Sequence, residues 1–170
     1  MNNRPDLRRL IEYNVDVLSQ GLHIIEAHLA QPECAYEQHS GPHLRHVIEH
    51  YEAFLRDVGV HAVDYDSRDR DPGPERDPLL ARERIMALQQ RLRALDVDLM
   101  DKPIAVHLRG GLAGEENFVS FSSLKRELLF LASHTTHHYA VLRLHCRAQG
   151  IDLGEDFGKA PSTVRHARQS

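Results

Sequence analysis

The sequence contains no tryptophan and only two cysteines, Cys34 and Cys146. Neither cysteine belongs to a C-x-x-C pair, the spacing typical of zinc sites and redox motifs. A chain of 170 residues removes roughly two-thirds of its unfolded surface from water, so it needs no disulfides to fold. We therefore expect a single domain over residues 1–170, in the reducing environment of the cytoplasm.

The sequence also lacks long apolar runs and blocks of like charge. No stretch approaches the roughly eighteen apolar residues of a membrane span, and the opening MNNRPDLRRL has no signal-type apolar region. The 21 basic and 25 acidic residues are spread along the chain and give a formal net charge of −4. These absences argue against a membrane and against nucleic acid as partners.

Helical periodicity dominates what the sequence does contain. Apolar residues recur three or four positions apart in four segments, as in amphipathic helices. Between the second and third segments the chain turns to charge, proline and glycine, which predicts a long polar connection over residues 60–77. The predicted helices cover residues 7–29, 40 or 41 to 59, 78–99, and 122 or 123 to 150.

A short segment before the last helix has a different pattern. The stretch IAVHLRGGLAGEENFVSFSS alternates and is interrupted by Gly110-Gly111 and Gly114, which predicts two strands joined by a glycine-rich loop. The polar composition of residues 150–170 predicts a tail that packs on the protein surface. The expected fold class is all-α: a four-helix bundle with a long crossover connection and a small β-hairpin before the last helix.

Histidine is abundant, with thirteen in the chain, and the stretch SHTTHHY places three on the last helix. His134 and His138 are four residues apart and share a helical face that is partly apolar. An H-x-x-x-H pair on a helix allows two imidazoles to bind one metal, although a third ligand must come from elsewhere. His137 lies toward the side of this face.

The second predicted helix offers His43, His46 and His50 on one side of its axis. If it packs against the last helix, one of these histidines can complete a three-histidine site. Helical angles alone do not choose among the three. The competing interpretation is a hydrogen-bonded histidine core without a metal, and no phosphate-binding loop or serine or cysteine nucleophile motif offers a different chemistry.

The segments LRHVIEHYEAFL and SHTTHHYAVLR, in a chain of four predicted helices, resemble the DinB/YfiT-like family of bacterial four-helix bundles. Members of that family are often described as metal-dependent hydrolases. The family's second-helix histidine corresponds to His46, followed by Val47-Ile48-Glu49, and its last-helix pair to His134 and His138. The resemblance implies a divalent metal, zinc or nickel, held by these three imidazoles with open positions for water or substrate.

The chain departs from the family pattern in two places. His43 and His50 flank His46 and can replace it as third ligand. The arginine-glycine pair that often follows the last histidine is Tyr139-Ala140 here, a change that concerns substrate contacts more than the metal.

Three neutral imidazoles leave the full charge of a metal acting on its bound water, which favours hydrolysis, whereas binding of a thiol to the same metal favours thiol transfer. We therefore expect an enzyme of one of these types acting on a small molecule, with no catalytic residue assigned beyond the metal-bound water. Candidates for orienting the ligands or moving protons are Glu49, Asp57, Glu127 and His137, and candidates for contacting an anionic substrate are Arg68 and Arg70.

Two alternatives remain open at this point. One is a non-catalytic binding or stress-response protein with a closed structural metal site, in which His50 or His137 supplies a fourth ligand. The other is a metal-free bundle with a histidine-rich core. A homodimer is also expected, through outer helical faces such as Leu79, Ile85 and Leu92 or the first helix.

Overall fold

The computed structural model describes residues 4–96 and 102–169, which form a mostly helical structure with one small sheet. The α-helices are α1 (Arg4–Ala30), α2 (Gly41–Asp57), α3 (Gly73–Arg76), α4 (Pro78–Arg93), α5 (Leu124–Ala148) and α6 (Pro161–Ala167). The strands are β1 (Ala62–Asp64), β2 (Pro103–Gly110) and β3 (Glu116–Ser123). A π-helical turn, Tyr36–Ser40, precedes α2, and a 3-10 turn, Val58–Val60, follows it.

The four long helices form the core by packing in pairs. α1 lies against α4 and α5, and α2 lies against the same two helices. Their apolar faces meet in one buried cluster, which also contains a hydrogen bond from the Tyr51 hydroxyl to Oδ1 of Asn14, 2.8 Å long. Gly21 permits the close approach of α1 to α5, because a Cβ there would lie 2.6 Å from the Tyr139 hydroxyl.

Each predicted helix corresponds to one observed, but the third ends earlier than predicted. α4 begins at Pro78, and the Asp77 carboxylate caps it by accepting hydrogen bonds from the backbone N–H groups of Leu79 and Leu80. The helix ends at Arg93 rather than at residue 99. Leu99 lies outside the described residues. Ile85 and Leu92 are fully buried in the core, so the prediction that they lie on a dimer surface is wrong. Leu79, the third residue predicted on that surface, is exposed.

The connection over residues 60–77 is not a loop throughout, which corrects the prediction. β1 pairs in parallel with β2, with Val63 opposite Val106, so the predicted two-stranded hairpin is part of a three-stranded sheet in the order β1-β2-β3. The fold is mostly helical, as predicted, but its sheet has one strand more than the predicted hairpin. A three-residue strand is too short to show alternation, and its hydrogen-bond partner lies about forty positions away in the chain.

The hairpin itself forms where it was predicted. β2 and β3 run antiparallel from Pro103 opposite Ser123 to Gly110 opposite Glu116. β3 leads directly into α5, whose first turn is capped by the Ser123 hydroxyl accepting from the Arg126 N–H. The tail after α5 is anchored by three buried side chains, Ile151, Leu153 and Phe157, before α6 begins.

Among the described helices, none has the length and apolar character needed to cross a membrane.

α2 carries three histidines, and its first residue, Gly41, packs closely against the backbone of α3. A Cβ at Gly41 would lie 2.0 Å from the backbone carbonyl oxygen of Glu75 in α3, so we predict that Gly41→Ala destabilises the protein by about 1–3 kcal/mol, in the range typical of overpacking. Urea unfolding measures the effect. Gly59→Ala is the matched control, because its Cβ would meet nothing within 4 Å. Equal stability of the two variants would contradict the prediction.

Candidate metal centre

Two facing helices bring three histidines together. His46 lies on α2, and His134 and His138 lie one turn apart on α5. Nε2 of His46 is 3.1 Å from Nε2 of His134, which is itself 3.2 Å from Nε2 of His138. One nitrogen from each ring lies within 4.8 Å of the other two, and all three side chains are partly buried.

The spacing of these nitrogens fits the coordination shell of a transition metal. Imidazole nitrogens bind Zn²⁺ at about 2.0–2.1 Å, so two of them at a tetrahedral angle lie about 3.3 Å apart, and about 2.9 Å apart at a right angle. The observed separations of 3.1 and 3.2 Å fall between these values. The three residues therefore fit a single divalent ion.

Hydrogen bonding cannot account for both of these short contacts at once. Nε2 of His134 carries either one proton or one in-plane lone pair, and either serves a single partner. Whichever neighbour it bonds, the other Nε2 approaches without a hydrogen bond. A metal ion resolves the conflict, since it accepts a lone pair from each of the three nitrogens.

Burial keeps the three rings neutral at physiological pH. Loss of solvation, with smaller repulsion from neighbouring histidines, lowers the pKa of His46 to about 3 and that of His138 to about 4. Burial also lowers the pKa of His134. Neutral imidazoles offer the lone pair that a metal requires.

His43 and His50 are the two histidines predicted as alternatives to His46. Both lie beside the three converging histidines, but they make different hydrogen bonds. Nδ1 of His43 is 2.8 Å from Nδ1 of His138, so His43 is placed to accept the outer N–H of a ring that coordinates through Nε2. His50 donates its Nδ1–H to the His46 carbonyl oxygen at 2.8 Å, which leaves its Nε2 as the lone-pair nitrogen. The His50 ring centre lies 4.7 Å from that of His134.

The carboxylates proposed as helpers have distinct surroundings. Glu49 is buried, and burial raises its pKa; its Oε1 has no hydrogen-bond partner within the part of the chain described. Glu127 accepts hydrogen bonds from the Tyr65 and Ser122 hydroxyls. Asp57 pairs with Arg56 and accepts from the backbone N–H of Asp64, so it holds the end of α2 rather than the histidine cluster.

His137, the proposed proton shuttle, is not one of the converging three, although its ring centre lies 5.9 Å from that of His138. Its side chain is exposed and lines a separate cavity between α5 and the tail, together with Tyr13 and Pro161. Arg70 is also exposed and has a positive φ of 51°, whereas Arg68 reaches the histidines. Nη1 of Arg68 lies 2.8 Å from Nδ1 of His46.

A small cavity is separated from the histidine cluster by two aromatic side chains, and its walls were not predicted from the sequence. It has a volume of about 230 Å³ between α5 and the sheet, and Tyr65 and Phe130 form part of its lining. Tyr65 stacks on His50 with ring centres 5.7 Å apart, and Phe130 stacks on His134 at 5.5 Å. Phe130 lies four residues before His134, so helical spacing offered a signal for it, but none existed for Tyr65.

Comparisons with known proteins give one partial match. FK506-binding protein 5 of Rhizopus delemar is 31% identical over 110 residues, which is 65% of this chain but 29% of the relative's length. The chain thus spans less than a third of that protein, whose name describes the whole molecule. No family model and no solved structure matches the chain.

We predict that the metal-free protein loses stability as the pH falls from about 6.5 toward 4. Unfolded histidines take up protons in this range, whereas His46, His50 and His138 have a pKa of about 3 to 4 in the folded state. The unfolded state then binds more protons, so the free energy of unfolding decreases with decreasing pH. Urea unfolding in the presence of a chelator, repeated across this range, measures the slope.

The control for this prediction separates the cluster from other histidines. His138→Gln should give a shallower slope than the wild type, while His23→Gln, at an exposed position on α1, should keep the wild-type slope. A free energy of unfolding that stays constant from pH 7 to pH 4 would contradict the prediction.

Proposed function

We propose that this protein is a metal-binding enzyme of the DinB/YfiT type, a hydrolase or thiol transferase that acts on a small molecule. The four long helices are proposed to form the four-helix bundle of that family. The pairwise packing of α1 and α2 against both α4 and α5 supports this arrangement. The segments around His46 and around His134 and His138 support the resemblance.

The observation that carries the proposal is the convergence of three Nε2 atoms. Contacts of 3.1 and 3.2 Å between neutral imidazole nitrogens match a shared metal and cannot both be hydrogen bonds. Imidazole ligands suit zinc, nickel and related ions. When bound, such an ion supplies a Lewis acid that lowers the pKa of coordinated water or thiol.

Residues of the chain supply orientation and exclude water around the trio. His43 fixes the ring of His138 by accepting its outer N–H, and Phe130 holds the ring of His134 by stacking. Tyr65 is held in turn by its hydrogen bond to Glu127, so Glu127 acts on the cluster through Tyr65 and His50. Glu49 lies one turn after His46 as a buried carboxylate with unused acceptor capacity.

The cavity beside the cluster favours a small substrate. At about 230 Å³ it lies below the roughly 300–1,000 Å³ of drug-sized ligand sites. Val106, Leu108 and Phe121 give it apolar walls, and Arg126 and Glu127 add charge. This lining suits a compact molecule with an apolar part and a polar group.

The second candidate is a non-catalytic protein with a closed metal site. One observation favours it: His50 already donates through Nδ1, so its Nε2 is available as a fourth nitrogen close to His134. The cytoplasmic location, a homodimer and the absence of nucleic-acid or membrane partners remain proposals from the sequence. The two cysteines, Cys34 and Cys146, are free thiols, which agrees with a reducing compartment.

We predict that the purified protein binds about one Zn²⁺ or Ni²⁺ per chain, and that His134→Ala loses most of this binding because it removes the nitrogen that contacts both others. Elemental analysis after dialysis measures the stoichiometry. His137→Ala is the matched control, since this exposed neighbour lines a different cavity. Wild-type protein that takes up no metal on reconstitution would refute the proposed function.

The number of imidazoles around the metal distinguishes an enzyme from a structural site. We predict three, with the remaining positions filled by exchangeable oxygen donors, as measured by X-ray absorption spectroscopy of the zinc-loaded protein. His50→Gln should then leave the imidazole count unchanged. A count of four that falls to three in His50→Gln would favour the closed, non-catalytic site instead.

A further inference from the structure

An arginine occupies the position where a metal site normally has a hydrogen-bond acceptor. Arg68, from the segment after β1, places Nη1 2.8 Å from Nδ1 of His46 and 3.1 Å from Nδ1 of His50. Its side chain is only 14% exposed. Metal-bound histidines usually donate their outer N–H to a carboxylate, carbonyl or water, and a guanidinium cannot accept that proton.

The protons in this group can be placed from the contacts alone. Nδ1 of His50 already donates to the His46 carbonyl, so it has no lone pair for Arg68. The acceptor of the Arg68 hydrogen bond is therefore Nδ1 of His46. A neutral His46 that accepts at Nδ1 carries its proton on Nε2, the nitrogen directed at His134.

This arrangement opposes metal coordination by His46. Coordination requires the lone pair on Nε2 and the proton on Nδ1, and two N–H groups would then face each other across the 2.8 Å contact with Arg68. His138 shows the contrast, because its outer Nδ1 meets Nδ1 of His43, which can accept. His46 therefore has a hydrogen-bond donor, Arg68, beside its Nδ1, whereas His138 has a possible acceptor, His43, beside its Nδ1.

We propose that Arg68 competes with the metal for His46, and that its guanidinium, once displaced, binds the carboxylate of a small organic anion at the same site. The second part rests on the proposed function. Arg68 thereby links metal loading to substrate binding: it covers the site in the metal-free protein and becomes the anion-recognising group in the loaded one.

One buried N–H group of the Arg68 guanidinium, at Nε, has no acceptor among the described residues even while Nη1 contacts His46. Oε2 of Glu49 is 4.0 Å away, beyond hydrogen-bond distance, and the same carboxylate has Arg45 at 3.9 Å. A planar carboxylate matches the guanidinium fork, because its two oxygens can accept two parallel N–H hydrogen bonds.

Metal affinity tests the first part. Chelator competition with Zn²⁺ should show Arg68→Gln binding about tenfold more tightly than the wild type, because the glutamine oxygen can accept the Nδ1–H of His46. Arg68→Lys, which keeps the charge and the donor, and Arg70→Gln, an exposed neighbour on the same segment, should stay close to the wild type. Affinity of Arg68→Gln equal to or weaker than that of Arg70→Gln would overturn the competition.

A metal-free measurement tests the same point independently. Nitrogen-15 NMR of the histidine side chains should show the proton of His46 on Nε2 in the wild type and a shift toward Nδ1 in Arg68→Gln. A proton on Nδ1 in the wild type would overturn the proposal even if no metal bound. Failure of Zn²⁺ to bind any variant would instead refute the proposed function, so the two failures are distinguishable.

Acetate is the probe for the second part. Titration of acetate into the Co²⁺-loaded protein should change the visible absorption of the metal in a saturable way, and Arg68→Gln should weaken this binding at least tenfold. Acetamide, of similar shape but uncharged, should produce no such change. Acetate binding of equal strength in Arg68→Gln and the wild type would overturn the assignment of Arg68 to the anion.

Discussion

The packing of α2 against α5 is the constraint on which the candidate site depends. It brings Nε2 of His46 to 3.1 Å from Nε2 of His134, and neither helix alone presents three such nitrogens to one point. The flanking features fix this contact: Gly41 lies against α3 at the start of α2, and Ser123 caps the start of α5. Small shifts of either helix would separate the imidazoles.

Partial burial gives these histidines their chemical character. Loss of solvation lowers the pKa of His46 and His138 far enough to keep both rings neutral, and neutral rings present lone pairs to a metal. The same burial makes each proton placement matter, because a buried N–H without an acceptor costs free energy. The hydrogen bond from Arg68 to Nδ1 of His46 therefore suits the metal-free protein, and it becomes a conflict between two N–H groups when a metal takes Nε2 of His46.

Periodicity predicted the long helices and the hairpin because each depends on contacts close in the chain. The same argument predicted that His134 and His138 share a face of one helix. It did not predict β1, whose three residues pair with β2 some forty positions later, nor the early end of α4. Tyr65 was likewise not predicted, and Arg68 was predicted as a substrate contact but not as a neighbour of His46, because the charged segment that carries both gives no local sign that β1 places it beside α2.

The sequence by itself determined which side chains were available: a pair of histidines one turn apart on one helix and three more along one side of another. Resemblance to a family selected His46 among those three. Only the tertiary structure decided how the three are used: Nε2 of His46 lies beside His134, Nδ1 of His43 lies beside His138, and Nδ1 of His50 donates to the backbone carbonyl of His46. The reason is physical: helical spacing fixes direction around an axis, whereas the distance between nitrogens on two helices depends on how their side chains pack.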